Sequence, residues 1–525
     1  MSVKTDEKKE VRCSGVLCHI SSLAGSEGIG TLGSFCFDFI SFLKESGFSL
    51  WQVLPIGPTG YGDSPYASIS TFAGNPLFID LHKLVEKDWA LEKDIVLPEY
   101  IKVENKIDYG AVVYWKTMAL QACAKYFLEK NSTLASYKNF CKKNDFWLED
   151  FALFLSIKKF YDEKAKEENV SECAWNYYWD KSLSCREENA LNEWKKTHAE
   201  EIEITKVIQF FFYTQWAEVK SFANKNGIKI IGDIPIFVAS DSADFWANQD
   251  LFEFDKKTMR QTSVAGVPPD YFSATGQLWG NPLYDWNKMK KTNYEWWLKR
   301  ISYLSSVFDI VRIDHFRGFE SYYQIPFGEK TAVNGKWVKG PGMKLFNLVK
   351  EQLPDTEIIA EDLGILTEQV LRLLKNTGFA GMKILQFAFN DNPWTLESEK
   401  NAYLPRKYRK TNSVVYTGTH DNDTLMSLLS TCSEQYKRNA ENYFGVGNNL
   451  SAEELALVFI QEAFKCKAKY CIIPVQDLLL SKEGRMNTPS TSQGNWAYRF
   501  TTSDFETLKE KSKDFKLLNT KYKRI

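Results

Sequence analysis

Eight short apolar segments recur along the chain, each rich in β-branched residues and of the length of a buried strand. They lie near residues 11, 50, 229, 309, 357, 382, 414 and 470. A helical pattern or an insertion follows each one, and strands that alternate with helices form a parallel sheet. Eight such units predict a (β/α)8 (TIM) barrel. A doubly wound open sheet is the alternative.

Two stretches exceed what a barrel of this kind needs. Residues 77–204 have a mainly helical pattern rich in Trp, Tyr, Lys and Glu, which predicts a helical insertion covering one side of the barrel. Residues 239–285 are predicted to form a long irregular loop, and such loops are usually functional. We expect both insertions to lie over the C-terminal mouth of one barrel domain spanning residues 1–525.

Composition excludes several classes of function. The 525 residues carry a net charge of −1, which gives no electrostatic reason to expect a nucleic acid or an anionic membrane as partner. Neither a run of 18 apolar residues nor an apolar signal segment is present, so we expect no membrane span and no secretion. The ten cysteines occur singly, without zinc-ligand spacing. Reduced thiols and a cytoplasmic location follow as expectations.

A glycine-rich turn raises a rival hypothesis, a nicotinamide oxidoreductase. Gly28, Gly30 and Gly33 have the spacing of a dinucleotide fingerprint and stand between a strand and a helix. However, the first glycine lies about eight residues beyond the strand, whereas the fingerprint requires a tight turn. The next strand also ends without an acidic residue for a ribose. We therefore expect no cofactor.

The segment 308–318 begins as a buried strand and ends in ionisable residues. Because side chains alternate along a strand, Arg312 and Asp314 point the same way. Catalytic groups of parallel barrels lie at the C-terminal ends of strands. A structural ion pair at a strand end is the alternative interpretation.

Carboxylates end other predicted strands as well, namely Glu361, Asp421 and Asp233. Acids that converge on one site repel each other and raise the pKa of at least one member, and cleavage of a glycosidic bond needs one protonated and one ionised carboxyl group. Binding of a hard cation is the competing use of such acids. Arg312 beside Asp314 would oppose a cation, so we expect no metal.

Six longer motifs stand in order along the chain. They are Tyr-Gly-Asp-Ser-Pro-Tyr (61–66), Gly-Asp-Ile-Pro-Ile-Phe-Val (232–238), Val-Pro-Pro-Asp-Tyr-Phe-Ser-Ala-Thr-Gly-Gln-Leu-Trp-Gly-Asn-Pro (267–282), Arg-Ile-Asp-His-Phe-Arg-Gly (312–318), Ala-Glu-Asp-Leu-Gly (360–364) and Thr-His-Asp-Asn-Asp-Thr (419–424). Their sequences and their order resemble the 4-α-glucanotransferases of glycoside hydrolase family 77, also called amylomaltases or disproportionating enzymes. The resemblance runs from about residue 13 to residue 496. It implies an α-amylase-type barrel without a C-terminal β-sandwich, and no cofactor at the glycine-rich turn.

The resemblance also implies roles for individual residues. Asp314 is similar to the nucleophile, Glu361 to the general acid/base and Asp421 to the transition-state stabiliser of the family. The remaining implied residues would bind substrate, and they are Ser64, Tyr66, Asp233, Asp270, Gln277, Trp279, Arg312, Phe387, Asp391, His420 and Asn487. Among these, Phe387, Asp391 and Asn487 lie outside the six motifs.

The implied reaction transfers a segment of an α-1,4-glucan to the 4-hydroxyl group of another glucan or of glucose, with retention at the anomeric carbon. Aromatic residues of the 239–285 loop would exclude water and favour transfer over hydrolysis. An α-glucan hydrolase is the alternative enzyme, and a glycogen-binding protein with an inactive site is the alternative outside enzymes. All three acids are present, which argues against an inactive site.

Overall fold

The protein is described by a computed structural model that covers residues 11–60, 62–101, 105–269, 273–364, 366–389, 401–408, 412–491 and 493–524. The strands in chain order are β1 (Cys13–Leu17), β2 (Leu50–Gln52), β3 (Lys229–Ile234), β4 (Phe254–Asp255), β5 (Arg260–Gln261), β6 (Ser263–Val267), β7 (Gln277–Pro282), β8 (Ile310–Ile313), β9 (Ser321–Pro326), β10 (Lys336–Lys339), β11 (Glu357–Ala360), β12 (Ala380–Ile384), β13 (Ser413–Tyr416) and β14 (Tyr470–Pro474).

The α-helices are numbered in the same way. They are α1 (Ser34–Glu45), α2 (Leu81–Glu86), α3 (Tyr109–Asn131), α4 (Ala135–Glu167), α5 (Trp175–Tyr178), α6 (Lys181–Ser184), α7 (Glu188–Thr197), α8 (Ala199–Lys225), α9 (Ala243–Ala247), α10 (Trp286–Lys291), α11 (Glu295–Val307), α12 (Met343–Gln352), α13 (Glu368–Thr377), α14 (Leu425–Thr431), α15 (Glu434–Phe444), α16 (Ala452–Lys465), α17 (Val475–Leu478), α18 (Thr502–Glu510) and α19 (Ser512–Lys521). Short 3-10 turns lie at Ile20–Ser22, Pro65–Ala67, Pro76–Phe78, Glu92–Asp94, Gln249–Leu251, Phe316–Phe319, Leu385–Phe387 and Pro405–Lys407.

Eight parallel strands close into a barrel in the order β1-β14-β13-β12-β11-β8-β3-β2. They are the eight predicted segments, so the predicted (β/α)8 barrel is confirmed. Since all eight strands run in one direction, their C-terminal ends meet at one mouth. The ionisable residues that follow several strands therefore come together there.

Aliphatic side chains fill the barrel interior. Ile231, Ile310, Ile359, Val414 and Ile472 come from five different strands and belong to one buried cluster. The backbones of β1 and β2 approach so closely at Gly15 that an added Cβ would lie 2.3 Å from the carbonyl oxygen of Leu50. Glycine is thus required where these strands meet.

The stretch 77–204 carries helices α2 to α7, and the next helix, α8, continues to residue 225. Two of these helices, α4 and α8, pack along each other through a core that includes Phe151, Ile157, Phe210 and Phe211. Their packing explains the aromatic content of this part of the sequence, because large rings bury much apolar area.

The stretch 239–285 differs from the irregular loop that the sequence predicts. Its described residues include helix α9 and strands β4 to β7. Strands β6 and β7 join β9 and β10 in a four-stranded antiparallel sheet of order β10-β9-β6-β7. The short strands were missed because each is brief, and because the sheet that holds β6 and β7 is completed by β9, about 60 positions further along the chain.

The helices among the described residues that follow β14 are α17, α18 and α19. Within the described part of the chain, no helix combines the length and the apolar character needed to cross a membrane.

A buried ion pair fixes the glycine-rich turn after β1 to the helical insertion. The Lys116 Nζ atom lies 2.5 Å from Oε2 of Glu27, and the two side chains are 0% and 4% exposed. Lys116 also donates to the carbonyl oxygen of Leu77, and Glu27 Oε1 accepts from the amide of Leu81. The turn that resembles a dinucleotide fingerprint therefore has a structural partner in α3.

We predict that Lys116→Met lowers the free energy of unfolding by about 3–5 kcal/mol, because it leaves the carboxylate of Glu27 buried without a cation. Urea unfolding followed by tryptophan fluorescence measures the change. The matched control is Lys125→Met on the same helix, whose ion pair with Glu200 is exposed and should contribute at most about 1 kcal/mol. Equal losses in both variants would contradict the prediction.

Candidate active site

Arg312 stands at the centre of the barrel mouth and contacts both neighbouring acids. Its Nη1 atom donates to Oδ2 of Asp233, and its Nη2 atom donates to Oδ1 of Asp314 at 2.8 Å. The arginine side chain is only 4% exposed. Burial opposes its charge, but the carboxylates of Asp233 and Asp314 raise its pKa above the ordinary value. The guanidinium is therefore a fixed positive charge against Asp314.

Strand register explains this placement. Asp233 of β3 pairs directly with Arg312 of β8. Arg312 and Asp314 are two residues apart and point the same way, as the sequence predicts. The Nε atom of Arg312 also points at the sulfur of Met382 on β12, at 3.4 Å. Three strands thus hold one guanidinium.

Strands β8 and β11 are neighbours in the barrel, and Ile313 of β8 pairs with Ala360 of β11. Asp314 and Glu361 are the residues that directly follow this pair. Adjacent strands lie about 4.8 Å apart, so the two acids are neighbours. The carboxylate of Glu361 accepts hydrogen bonds from the amides of His315 at 2.8 Å and Leu363 at 2.7 Å. Backbone around both strand ends therefore orients this side chain.

The pKa of Glu361 is raised to about 7, first by burial and then by the negative charge of Asp314. Arg312 and the amide of Leu363 act in the opposite direction. Glu361, a carboxyl group whose pKa lies near neutral pH, thus stands beside Asp314, whose carboxylate accepts a hydrogen bond from an arginine. This is the division between acid and base that glycosidic chemistry requires.

The neighbouring Asp362 faces elsewhere. Its Oδ1 atom accepts from the amide of Met382 at 2.6 Å, and Oδ2 lies 3.7 Å from Nζ of Lys383. Asp362 therefore fixes the adjacent strand β12, in keeping with the alternation of side chains along β11.

Tyr66 forms one wall of the site. Its hydroxyl group donates to Oδ2 of Asp233 at 2.8 Å, and its ring stacks on His420 at 5.0 Å between centroids. Burial, followed by the charge of Asp233, raises the pKa of Tyr66, so the hydroxyl group remains a donor. Ser64 accepts from the amide of Tyr66 at 3.3 Å and so shapes the turn that carries this ring.

Asp421 follows His420 in the loop after β13 and remains 47% exposed. Its Oδ1 atom accepts from Nδ2 of Asn487 at 2.6 Å, and its Oδ2 atom lies 3.4 Å from Nε2 of His420. Asn487 also donates its amide to the carbonyl oxygen of His420. The loops after β13 and β14 are thereby joined at this carboxylate.

The remaining predicted residues lie around the rim. Trp279 meets His315 edge-on at 4.9 Å and donates to the side chain of Gln277 at 3.1 Å. Phe387 is exposed and packs against Tyr403 at 5.4 Å. The predicted residues Asp270 and Asp391 lie outside the described residues.

Comparison with known proteins agrees with this arrangement. A family model described as 4-alpha-glucanotransferase, glycoside hydrolase family 77, matches residues 18–504. The chain belongs to this family. It is 45% identical to the 4-alpha-glucanotransferase of Clostridium butyricum over 92% of this chain and 95% of that protein. It is 43% identical to the Thermus thermophilus 4-alpha-glucanotransferase over 93% of this chain and 94% of that protein.

A solved member has the same architecture. The amylomaltase of Streptococcus agalactiae, in complex with acarbose, superposes with a TM-score of 0.90 at 36% identity, covering 98% of this chain and 99% of that chain. The protein is thus an enzyme of the 4-alpha-glucanotransferase type, and the nicotinamide oxidoreductase hypothesis is wrong.

Sequence reasoning missed several residues that contact the predicted site residues in the structure. Met382 contacts Arg312, and Trp496 lies 5.8 Å from the Tyr66 ring and 5.9 Å from the His420 ring. Arg485 donates to the carbonyl oxygen of Asp421 at 2.8 Å. None of the three stands in a motif with ionisable neighbours at a strand end, so no local signal could have indicated them.

We predict that Asp314→Asn lowers the pKa of Glu361 below its value of about 7, because a negative charge that disfavours ionisation of Glu361 is removed. The carboxyl 13C chemical shift of Glu361, assigned with Glu361→Gln, reports this pKa during a pH titration. Asp421→Asn is the control and should move the pKa less, since Asp421 is more exposed and solvent screens its charge. An unchanged pKa in Asp314→Asn would contradict the prediction.

Proposed function

We propose that the enzyme transfers a segment of an α-1,4-glucan to the 4-hydroxyl group of a second glucan or of glucose by a retaining double displacement. The observation that carries this proposal is the pairing of Asp314, which Arg312 contacts, with Glu361, whose pKa is about 7. Retention requires two carboxyl groups about 5–5.5 Å apart, and adjacent strands about 4.8 Å apart support such a separation.

In the first step, Asp314 attacks the anomeric carbon while Glu361 gives its proton to the leaving glycosidic oxygen. The bond to the leaving glucan breaks, and an ester bond forms between the donor segment and Asp314. Arg312 contacts the carboxylate of Asp314 and places a positive charge beside the attacking group. Loss of the proton leaves Glu361 ionised and ready for the second step.

In the second step, the 4-hydroxyl group of an acceptor glucan enters and Glu361 takes its proton. The acceptor oxygen attacks the anomeric carbon, the ester bond to Asp314 breaks, and a new α-1,4 bond forms. Two inversions give net retention. The proton returns to Glu361, which restores the starting state.

We assign the other residues to binding. Asp421, held by Asn487, would stabilise the positive charge of the transition state. Asp233 and His420 would bind sugar hydroxyl groups, and the ring of Tyr66 would contact the sugar at the point of cleavage. Gln277 and Trp279 would line the acceptor side, where an aromatic wall excludes water and favours transfer over hydrolysis.

Maltooligosaccharides and glycogen-type chains are the substrates that this assignment indicates, and acarbose, which the Streptococcus agalactiae amylomaltase binds, is expected to bind here too. We propose a cytoplasmic location, where glycogen-type substrates would be stored.

Incubation with maltotriose alone tests the activity. We expect a ladder of longer maltooligosaccharides together with glucose, resolved by chain length, because one molecule serves as donor and another as acceptor. Asp314→Asn should reduce the rate by at least about a thousandfold, since it removes the nucleophile. The control Asp309→Asn, at the opposite end of β8, should keep most of the activity. Formation of maltose and glucose alone would indicate the hydrolase instead.

The pH dependence tests the role of Glu361. Only its protonated form can act as the acid, so kcat/KM for maltotriose should fall as pH rises through about 7. With α-maltotriosyl fluoride as donor, fluoride leaves with little protonation, and this alkaline limb should move or disappear. An identical alkaline limb with both donors would exclude Glu361 as the acid.

A further inference from the structure

One buried carboxyl group holds both ends of the loop that joins β13 to α14, residues 417–424. This group belongs to Asp477 of α17, which directly follows β14. Its Oδ2 atom accepts a hydrogen bond from Oγ1 of Thr417 at 2.5 Å, and its Oδ1 atom accepts from the amide of Leu425 at 2.8 Å. Thr417 is the first residue of the loop and Leu425 is the first residue of α14, so Asp477 spans the base of the loop.

Burial makes these two hydrogen bonds important for the loop. Asp477 is 1% exposed, and both Thr417 and Leu425 are fully buried, so water does not replace either donor. Burial raises the pKa of Asp477 to about 6, whereas the hydrogen bonds from Thr417 and Leu425 lower it. The carboxylate form therefore predominates at neutral pH, and each of its oxygens can accept one of the two bonds.

The strand on the other side of β13 supplies a second support. In the barrel, β13 lies between β14 and β12. Gln386, which lies just beyond β12, donates its backbone amide to the carbonyl oxygen of Thr417 at 3.2 Å. Its Nε2 atom donates to the carbonyl oxygen of Asp423 at 2.9 Å. The loop is thus held near its beginning and near its end from both neighbouring strands.

Between its two ends the loop forms a turn closed by its own hydrogen bonds. The Oδ1 atom of Asn422 accepts from the amide of Thr419 at 2.8 Å and from its Oγ1 atom at 2.9 Å. The amide of Asn422 donates in turn to the carbonyl oxygen of Thr419 at 3.2 Å. His420 and Asp421 stand in the middle of this turn. Because the turn is closed, a shift at the base of the loop moves both side chains together.

The structure leaves room for such a shift. A cavity of 20 Å³ lies between the loop and the ends of β1 and β14, and its lining includes Thr419, His420, Asn422 and Asp477. The loop can therefore settle inward when its base is no longer held. Asp477 itself is too deeply buried to contact a substrate, so any effect of this residue on the reaction passes through the loop.

We propose that Asp477 is a positioning residue for the transfer reaction, which sets the place of the Asp421 carboxylate by holding both ends of the β13–α14 loop. The role of Asp421 as stabiliser of the transition state rests on the proposed function. Asp421 would meet a charge that develops only in the transition state, so its displacement lowers kcat and leaves KM nearly unchanged. Misplacement of a catalytic group by about 1 Å can cost about a hundredfold in rate.

Thr417→Val tests the proposal with the smallest change. Valine keeps the shape of threonine and removes the hydroxyl group that donates to Asp477. With α-maltotriosyl fluoride as donor and saturating glucose as acceptor, measured by fluoride release, we expect kcat to fall about tenfold and KM to stay within about twofold. Thr417→Ser restores the donor and should retain about half of the wild-type kcat or more. Asp477→Ala removes both hydrogen bonds and should lower kcat about a hundredfold.

A double-mutant cycle distinguishes positioning from a general structural role. If Asp477 acts through Asp421, then the carboxylate of Asp421 must be present for the loss to appear. In the Asp421→Asn background, Thr417→Val and Asp477→Ala should therefore each lower kcat by no more than about twofold. A variant that merely loosens the fold would lower kcat by the same factor in both backgrounds.

The matched control is Glu441→Gln. Glu441 on α15 is also 1% exposed, and its Oε1 atom accepts from the backbone amide of Leu450 at 2.8 Å, away from the residues assigned to the site. We expect its kcat to stay within about twofold of the wild-type value. Thermal unfolding of each variant verifies that the fold is intact, and Thr417→Val keeps the test valid if Asp477→Ala unfolds.

The outcomes are distinct. Loss of kcat in Thr417→Val and Asp477→Ala that disappears in the Asp421→Asn background supports the positioning role. An unchanged kcat in both variants overturns it, as do equal losses in the two backgrounds or an equal loss in Glu441→Gln. Failure of the wild-type protein to act on maltotriose, or full activity of Asp421→Asn alone, would instead refute the proposed function.

Discussion

The ion pairs of Arg312 are the interaction on which the site depends. A buried guanidinium is costly unless carboxylates compensate its charge, and Asp233 and Asp314 do so from two sides. If either acid moved away, the buried guanidinium would lose a compensating charge, so Arg312 holds Asp233 and Asp314 close to each other. As a result, one carboxylate at the mouth lies against a guanidinium, while the pKa of its neighbour Glu361 is raised to about 7. The proposed chemistry of the enzyme follows from that asymmetry of charge.

The barrel supplies the rigidity that this asymmetry needs. Each charged side chain follows a strand whose hydrogen bonds to both neighbours fix its position, and the register pairs Asp233 with Arg312 and sets Asp314 beside Glu361. Aliphatic layers beneath the mouth keep water from the inner face of Arg312. The groups to which we assign a role in the transition state are therefore oriented before substrate binds, and such preorganisation is a main source of electrostatic catalysis.

The additions to the barrel bring further side chains to its mouth. The sheet that contains β6, β7, β9 and β10 carries Trp279 to the rim of the mouth. The polymer of the proposed function is uncharged and offers few strong contacts per sugar unit. Aromatic side chains at the mouth, such as Tyr66 and Trp279, would add weak contacts along such a chain. The proposed division of labour places bond chemistry in the barrel and chain recognition at its rim.

The sequence by itself determined the barrel, because the eight apolar segments and their spacing are local signals, and it indicated Arg312, Asp314, Glu361 and Asp421, because ionisable residues at strand ends are unusual. Long motifs also sufficed to indicate the family. Only the tertiary structure decided that Met382 contacts Arg312, that Trp496 adjoins Tyr66 and that 239–285 contains strands. The contacts of Arg312 with Met382 and of Tyr66 with Trp496 join residues about 70 and 430 positions apart, and such contacts depend on how the whole chain packs, which no local pattern records.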